Sequence, residues 1–306
     1  MTTHDATLGA ELGGPELRGA SSEAIIGVDL GGTRVRAGRV RDGKIECSVS
    51  HRISGAEAVD VVLGEIFEAI DEVADGSCAG IGCGVPSVVD VAHGIVYAVE
   101  NIPSWQEVPF QDELERRYLV PARINNDANA FAVGELYFGQ GRGHRNLVGI
   151  TIGTGLGSGV VIDGHLYSGT NCGAGEIGNI PYRDGTLESF CSGAFLRRES
   201  GMDGEAVFAR ARDGDPAALE LFRSLGGAVG DAVMIALYAY DPEIVILGGS
   251  VSRGYAFFEK EMRQRLRGYA FAHALGRLHI VRSEIEDVAL LGAAAIYLDS
   301  HLTKTI

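Results

Sequence analysis

Lysine is scarce in this chain of 306 residues, which contains only three, Lys44, Lys260 and Lys304. Aspartate and glutamate outnumber lysine and arginine by 41 to 26, so the formal net charge is −15. Partners with dense negative charge, such as nucleic acids and anionic membrane surfaces, bind through clustered basic side chains. The composition therefore argues against both partners. A phosphate-bearing ligand would have to be held by backbone N–H groups and a metal ion.

Long apolar runs and closely spaced cysteines are missing too. The two longest apolar runs, residues 232–240 and 288–298, are shorter than the roughly 18 residues that a membrane span needs. Residues 1–23 have neither the basic stretch nor the apolar core of a signal peptide, so we interpret them as a polar tail. The five cysteines include no C-x-x-C pair, and a chain of this size needs no disulfides for stability. We therefore expect reduced thiols, a cytoplasmic protein and no membrane partner.

Glycine, in contrast, is abundant, and several of its 44 residues cluster where predicted strands end. Hydrophobic periodicity predicts strands at residues 24–30, 35–40, 45–52, 79–85, 120–124, 147–152, 159–162, 244–247 and 278–282. It predicts helices at residues 57–74, 110–118, 127–137, 193–200, 203–212, 216–240, 255–269 and 288–298. The order strand, strand, strand, helix, strand occurs twice, which indicates an α/β protein with a duplicated β-meander and flanking helices. No low-complexity linker separates the halves, so a domain boundary is expected near residues 120–126.

The first candidate phosphate-binding segment, residues 29–33 (DLGGT), follows the first predicted strand. Two adjacent glycines, Gly31 and Gly32, permit positive φ and let backbone N–H groups approach phosphate oxygens. Thr33 adds a hydroxyl group, and the Asp29 carboxylate can hold Mg²⁺ directly or through water. The same residues also suit a plain hairpin turn. The segment is not a Walker A loop, because no Gly-Lys-Ser/Thr follows, nor a dinucleotide fingerprint, because a strand follows it.

A second glycine-rich segment, residues 153–159 (GTGLGSG), has the corresponding position in the second meander. Four alternating glycines are compatible with a flexible hairpin. The matching position instead suggests two phosphate loops that face each other across a cleft.

The segment at residues 125–129 (NNDAN) joins a predicted strand to a predicted helix. An aspartate at a helix start, here Asp127, is often only a helix cap. In kinases, however, an aspartate accepts the proton of the hydroxyl that attacks a phosphoryl group. The flanking asparagines would then bond neighbouring hydroxyls.

Further carboxylates and carboxamides lie in glycine-rich sequence, among them Glu176, Asn179 and Glu188. They suit a ligand with many hydroxyls, because each can accept from or donate to adjacent hydroxyl pairs. An ordinary loop is the competing interpretation. The predicted strand at 244–247 ends in Gly248 and Gly249, as required if a flat ring or a phosphate lies against the backbone.

Five ordered motifs together resemble the ROK family of bacterial sugar kinases and repressors. They are DLGGT at 29–33, INNDANAFAVGE at 124–135, TIGTGLGSG at 151–159, GAGEIGN at 173–179 and ILGGS at 246–250. The resemblance implies the two-domain actin-like, or ribonuclease H-like, ATPase fold. We expect a small α/β domain over residues 24–124 and a large one over 125–285. The C-terminal helix, at about 286–300, is expected to pack back on the small domain.

The resemblance also implies a role for each matching residue. Asp127 would be the general base that activates a sugar hydroxyl. The sugar would contact Ser87, Asn101, Asn126, Asp127, Glu176, Asn179 and Glu188, with Ser87 standing where the family usually has glycine. ATP would contact Gly31, Gly32, Thr33, Thr154, Gly155, Gly248 and Gly249. Asp29 would hold Mg²⁺.

One departure from the family concerns zinc. Many members hold a structural zinc ion with one histidine and three cysteines. Here Asn179 takes the histidine position, residues 183–187 contain no cysteine, and Cys191 is a single thiol beyond the expected window. We predict no zinc site, and because asparagine can still donate and accept, hexose binding stays expected.

The resulting prediction is ATP-dependent phosphorylation of a hexose hydroxyl, with glucose at C6 as first choice and ATP and Mg²⁺ required. Fructose, mannose, an N-acetylhexosamine and a cyclitol stay open as substrates. A sugar sensor without activity and a repressor are the alternatives. The repressors carry an added N-terminal helix-turn-helix, for which the residues before the first strand leave no room, so we expect no nucleic-acid partner. A homodimer or higher homo-oligomer is expected from the family.

Overall fold

The computed structural model describes residues 23–76 and 78–302, with only the backbone at residue 302. The predicted polar tail lies outside the described residues except for residue 23. The strands are β1 (Ala24–Leu30), β2 (Arg34–Arg41), β3 (Lys44–Arg52), β4 (Cys78–Val85), β5 (Val89–Asp90), β6 (Ile95–Val96), β7 (Ala122–Asn126), β8 (Leu147–Ile152), β9 (Leu156–Ile162), β10 (His165–Leu166), β11 (Pro181–Tyr182), β12 (Gly185–Thr186), β13 (Ile244–Gly248) and β14 (His279–Arg282). The α-helices are α1 (Val59–Val73), α2 (Phe110–Tyr118), α3 (Asp127–Phe138), α4 (Glu188–Cys191), α5 (Gly193–Ser200), α6 (Gly204–Arg212), α7 (Pro216–Tyr240), α8 (Tyr255–Leu266), α9 (Ala272–Leu275) and α10 (Val288–Leu302). Two short 3₁₀ helices cover Ile177–Asn179 and Ser250–Gly254.

Two five-stranded sheets repeat one topology. The first has the order β3-β2-β1-β4-β7, and the second has the order β10-β9-β8-β13-β14. In each sheet the first three strands in chain order pair antiparallel, and the next two run parallel to the first. The predicted α/β class and duplicated meander are confirmed.

Strand β7 is shifted by two residues from the prediction of 120–124. Its ladder with β4 begins at Ala122, because Pro121 has no N–H group to donate and contributes only its carbonyl, to Ile81. The ladder continues to Asn126, which pairs with Val85. The shift places Asn125 and Asn126 in the last two positions of the strand, next to the helix that follows.

Helices α3 and α10 form a layer between the sheets, α3 on the second sheet and α10 on the first. Glycines on β1 and β4 face the backbone of α10, so that strand and helix approach closely. A Cβ atom on Gly82 would lie 1.8 Å from the carbonyl oxygen of Ala293, and one on Gly27 would lie 2.3 Å from that of Leu290. This contact holds the C-terminal helix against the first sheet. The division into domains at residues 24–124 and 125–285 stays a prediction.

Helix α7 is long and apolar enough to cross a membrane by length and composition. Most of its apolar residues, including Phe222, Leu225 and Val233, are buried in the core beside the second sheet. Core helices of this kind pass the same length test, so the burial indicates a packing role within the fold.

Candidate active site

The carboxyl ends of three parallel strands meet at one edge of the first sheet. In the register of β1, β4 and β7, Asp29 pairs with Gly84, and Gly84 pairs with Asn125. A Cβ atom on Gly84 would lie 3.7 Å from the Cα atom of Asp127, the first residue of α3. Asp29 and Asp127 are therefore neighbours, as the positions of their motifs at strand ends suggested.

Asp127 is exposed, but the surrounding protein displaces much of its bulk solvent. This desolvation raises the pKa of Asp127 from 3.8 to about 6, and the charges of Asp29 and Glu176 act in the same direction. The N–H group of Ala128 donates to Asp127 Oδ1 at 2.8 Å, which opposes the shift and fixes the side chain. The result is a carboxylate more basic than an ordinary aspartate, next to the edge where β1, β4 and β7 end.

Asn126 is the N-cap of α3 and joins the start of this helix to the loop after β4. Its Oδ1 accepts from the N–H group of Ala128 at 2.8 Å, and its Nδ2 donates to the carbonyl oxygen of Ser87 at 3.3 Å. The Ser87 hydroxyl donates to Ala98 at 2.6 Å. Asn126 therefore positions Asp127, and the hydroxyl of Ser87 stabilises the loop after β4.

Asn101 lies directly against the first glycine segment. A Cβ atom on Gly32 would lie 2.4 Å from Asn101 Nδ2, so only glycine leaves room for this side chain. The turn itself is closed by the Gly31 N–H group, which donates to Arg34, and the Thr33 carbonyl accepts from Ile53. The structure thus brings a predicted sugar ligand next to a predicted phosphate loop.

Three site segments converge on Leu156 and Gly157. Glu188 Oε2 accepts from the N–H group of Leu156 at 2.8 Å. A Cβ atom on Gly178 would lie 2.4 Å from the Leu156 carbonyl oxygen, and one on Gly157 would lie 2.9 Å from Ala128 Cβ. The starts of α3 and α4 and the segment that carries Glu176 therefore meet at the beginning of β9.

The second glycine loop is shorter than predicted. Strand β9 begins at Leu156 and not at Gly159, so Gly157 and Gly159 belong to the strand. Their Cβ positions would collide with Ala128 and, for Gly159, also with Ala132 of α3. These two glycines permit close packing of α3 on the sheet, and the loop proper is residues 153–155.

Asn179, at the position of the family's histidine, donates through Nδ2 to Glu176 Oε2 at 3.0 Å. Both side chains are exposed. The carboxamide therefore orients the carboxylate that lies close enough to raise the pKa of Asp127.

A cleft of about 320 Å³ lies beside the second glycine loop. Gly153 and Thr154 form one wall, and the opposite walls come from α5, α6, α7 and the 3₁₀ helix after Gly249. Two arginines that the sequence did not reveal, Arg197 and Arg253, also line it. The expectation that a phosphate-bearing ligand is held by backbone N–H groups and a metal ion stays a prediction.

Gly248 and Gly249, which are predicted to contact ATP, have clear packing roles. A Cβ atom on Gly248 would lie 2.4 Å from the ring of Phe131, and Gly249 has a φ of +82° and lies against Ile152. Gly249 turns the chain so that Ser250 and Val251 line the cleft. A nucleotide contact of Gly248 and Gly249 stays a prediction.

Asp29 has the chemistry of a magnesium ligand. Mg²⁺ is usually bound through one or two carboxylates together with substrate phosphates. Burial raises the pKa of Asp29 above its ordinary value, Arg36 opposes this, and Asp287 adds to it. A nearby cation would stabilise this half-buried carboxylate, so the residues fit the ion.

The segment after Asn179 is held by an edge-to-face ring contact and by cation–π contacts. The rings of Tyr182 and Phe190 are 5.4 Å apart, and the Arg183 guanidinium lies over both, at 5.0 and 5.1 Å. Arg198 covers Phe190 at 5.1 Å.

Among residues 23–76 and 78–302, no group of three or more His, Cys, Asp or Glu side chains could hold a metal ion. That purified protein contains no zinc stays a prediction.

A buried polar cluster below Asp127 was not foreseen. Asn125 Oδ1 accepts from Asn129 Nδ2 at 2.9 Å and from Cys172 Sγ at 3.3 Å, and Asn125 Nδ2 donates to Ser168 Oγ at 3.0 Å. The cluster ties β7 and α3 to the loop that leads to Glu176. Only the polar character of residues 125–129 was a signal for it.

Comparison with known proteins identifies the chain. A model of the ROK family matches residues 25–300. The chain belongs to the ROK family. It is 35% identical to a glucokinase of Thermotoga maritima, over 89% of this chain and 96% of that protein. It resembles the crystal structure of a ROK family glucokinase from Streptomyces griseus with glucose and AMPPNP, at 28% identity and a TM-score of 0.76, over 89% of this chain and 98% of that one.

The ROK match confirms the resemblance and the actin-like ATPase fold that it implied. The family also contains regulators: a xylose repressor of Caldicellulosiruptor bescii is 29% identical over 73% of this chain and 63% of that protein. Family membership alone therefore does not define the activity, which has to be inferred from the site.

Proposed function

We propose that this ROK protein transfers the terminal phosphoryl group of ATP to a hydroxyl of a hexose, with glucose at C6 as the favoured acceptor. The observation that carries the proposal is the Asp127 carboxylate, whose pKa is raised to about 6, at the edge where β1, β4 and β7 end. The glucokinases among its relatives support the acceptor and the donor.

Asp127 would accept the proton of the attacking hydroxyl. A pKa of about 6 leaves the group ionised at neutral pH and makes it a better base than a free aspartate. The bond from Ala128 to Oδ1 leaves Oδ2 for the sugar hydroxyl. Glu176, oriented by Asn179, and Asn101 would bind other hydroxyls of the ring.

The donor would lie in the cleft beside Thr154, with its phosphates toward the two glycine loops. Arg197 and Arg253 would donate to the phosphates, whereas Asp203 and Glu205 in the same lining offset their charge. A magnesium ion held by Asp29 would neutralise charge on the phosphates when bound. Backbone N–H groups of the loops would stabilise the charge that develops during transfer.

The pH dependence follows from the Asp127 carboxyl. Only its ionised form can accept a proton, so we expect kcat/KM for the sugar to fall about tenfold per pH unit below pH 6. Above about pH 7 this group causes no further change. Initial rates measured from pH 5 to 8 at constant ionic strength test this. A profile that is flat down to pH 5 would contradict the assignment.

The acceptor is best determined with a coupled assay of ADP release. Purified protein with ATP and Mg²⁺ is given glucose, fructose, mannose, N-acetylglucosamine or myo-inositol. We expect sugar-dependent ADP release that is fastest with glucose, and glucose 6-phosphate as the product identified by NMR. The same panel with inorganic polyphosphate in place of ATP tests the donor.

The panel also separates the alternatives. If another sugar gives the highest kcat/KM, the kinase assignment stands and the acceptor changes. If calorimetry detects sugar binding but no sugar increases ADP release, the protein is a sensor and the proposal is wrong. The cytoplasmic location and a homodimer or higher homo-oligomer stay predictions.

A further inference from the structure

Glu188, the first residue of α4, contacts the second glycine loop. Its Oε2 accepts from the Leu156 N–H group, and a Cβ atom on Gly155 would lie 2.4 Å from this same oxygen. The side chain is exposed, and none of the described residues donates to Oε1. One oxygen therefore holds the end of the glycine loop, and the other is available to a ligand.

Helices α4 and α5 hold the glycine loop on its other side as well. The N–H group of Gly193 donates to the Gly153 carbonyl at 2.7 Å, and that of Ala194 donates to Thr154 at 3.3 Å. One turn later α5 contributes Arg197 to the nucleotide cleft. Residues 188–197, here called the strap, thus connect a candidate sugar ligand to a wall of the nucleotide cleft.

Hydrogen bonds, and not side-chain packing, hold Gly153 in the glycine loop. A Cβ atom on Gly153 would meet nothing within 4 Å, so this residue is not wedged against a neighbour. The Leu156 side chain and the residues after it are fixed by packing. The conformation of residues 153–155 therefore depends on the hydrogen bonds at its two ends.

We propose that Glu188 couples the two substrates: Oε1 binds a sugar hydroxyl while Oε2 keeps the Leu156 N–H group in place, so that bound sugar fixes the loop in its nucleotide-binding form. The inference rests on the proposed function and extends it to cooperative binding of sugar and nucleotide. By linkage, the nucleotide increases the affinity for sugar by the same factor.

Calorimetric titration with AMPPNP and Mg²⁺, with and without saturating glucose, measures this coupling without turnover. For the wild type we expect glucose to lower the Kd of AMPPNP by about tenfold, within the usual range of about 5–150-fold. In Glu188→Ala the ratio should fall below about twofold, because both contacts are lost. Glu199→Ala is the control and should keep the wild-type ratio, because Glu199 is an exposed glutamate on α5 just beyond the strap.

Two further variants separate bridging from charge. Glu188→Gln keeps the length, since its amide oxygen can accept from Leu156 and its NH₂ group can donate to a hydroxyl. Glu188→Asp keeps the charge but is one methylene too short to reach both partners. Bridging predicts a larger ratio for Glu188→Gln than for Glu188→Asp. The reverse order would overturn the proposal, and this comparison does not depend on whether Glu188→Ala folds.

The failure of the coupling and the failure of the proposed function are distinguishable. If the wild type phosphorylates glucose but binds AMPPNP equally well with and without it, the coupling is wrong and the kinase function stands. If no sugar of the panel is phosphorylated or bound, the proposed function is wrong, and the coupling fails with it.

Discussion

Replacing Asp127 with asparagine is expected to lower kcat for sugar phosphorylation by about 10²–10⁴-fold, the range that a positioned general base contributes. Asparagine has nearly the same shape and can still accept from the Ala128 N–H group through its side-chain oxygen. It cannot take up the proton of the attacking hydroxyl. The KM for the sugar should therefore change only a few-fold, since the fold of the site and the hydroxyl contacts remain.

Steady-state kinetics of Asp127→Asn under saturating ATP and Mg²⁺ give both parameters. Asp163→Asn is the matched control: this aspartate is 75% exposed in the turn between β9 and β10, at the end of β9 remote from Leu156. Its φ of 54° suits asparagine, so the variant should behave as wild type. The residual activity of Asp127→Asn should also show no decline below pH 6. A kcat within about threefold of the wild type would exclude Asp127 as the base.

The edge of the first sheet could be predicted because it depends on local sequence. Periodicity predicted the apolar strand that contains Asp29 and the strand that precedes residues 125–127, although β7 ends two residues later than predicted. Carboxyl ends of parallel strands lie at one edge, so these two motifs had to meet. The repetition of strand order located the second glycine loop in the same way. The hydrophobic pattern of the sequence was sufficient to predict the position of a residue wherever strand pairing alone determines that position.

Contacts between residues distant in sequence could not be predicted in this way. The bond from Leu156 to Glu188 spans 32 residues, and the bond from Asn125 to Ser168 spans 43. Arg197 reaches the cleft only because α5 is anchored to the glycine loop. No periodicity or spacing encodes these contacts, because they depend on how the insertion between β10 and α7 folds back.

Glycines show the same limit, because the sequence does not distinguish a loop glycine from a packing glycine. Gly32 leaves room for Asn101, whereas Gly157 and Gly248 leave room for Ala128 and Phe131 of α3. All three appeared in motifs that suggested ligand contacts. The distinction depends on which helix lies opposite, and the structure supplies that information.

The packing of α10 on the first sheet makes Gly82 the position where a small change should have the largest effect on stability. An added methyl group would lie 1.8 Å from the Ala293 carbonyl oxygen and 2.8 Å from its carbon, both of them helix backbone. No rotation of a side chain can relieve this contact, so Gly82→Ala must displace α10 from β4. We expect a loss of about 3 kcal/mol in the free energy of unfolding, at the upper end for an overpacked core.

At roughly 2–4 °C per kcal/mol, this loss lowers the Tm by roughly 6–12 °C, which differential scanning fluorimetry would detect. Gly64→Ala is the matched control, because a Cβ atom at this position on α1 meets nothing within 4 Å. Alanine favours the helix there by up to about 1 kcal/mol, so the control should have an unchanged or higher Tm. If Gly82→Ala melts within 2 °C of the wild type (~0.5–1 kcal/mol), the helix is free to move away from the sheet. The close approach of α10 to β4 would then contribute little to the stability of the fold.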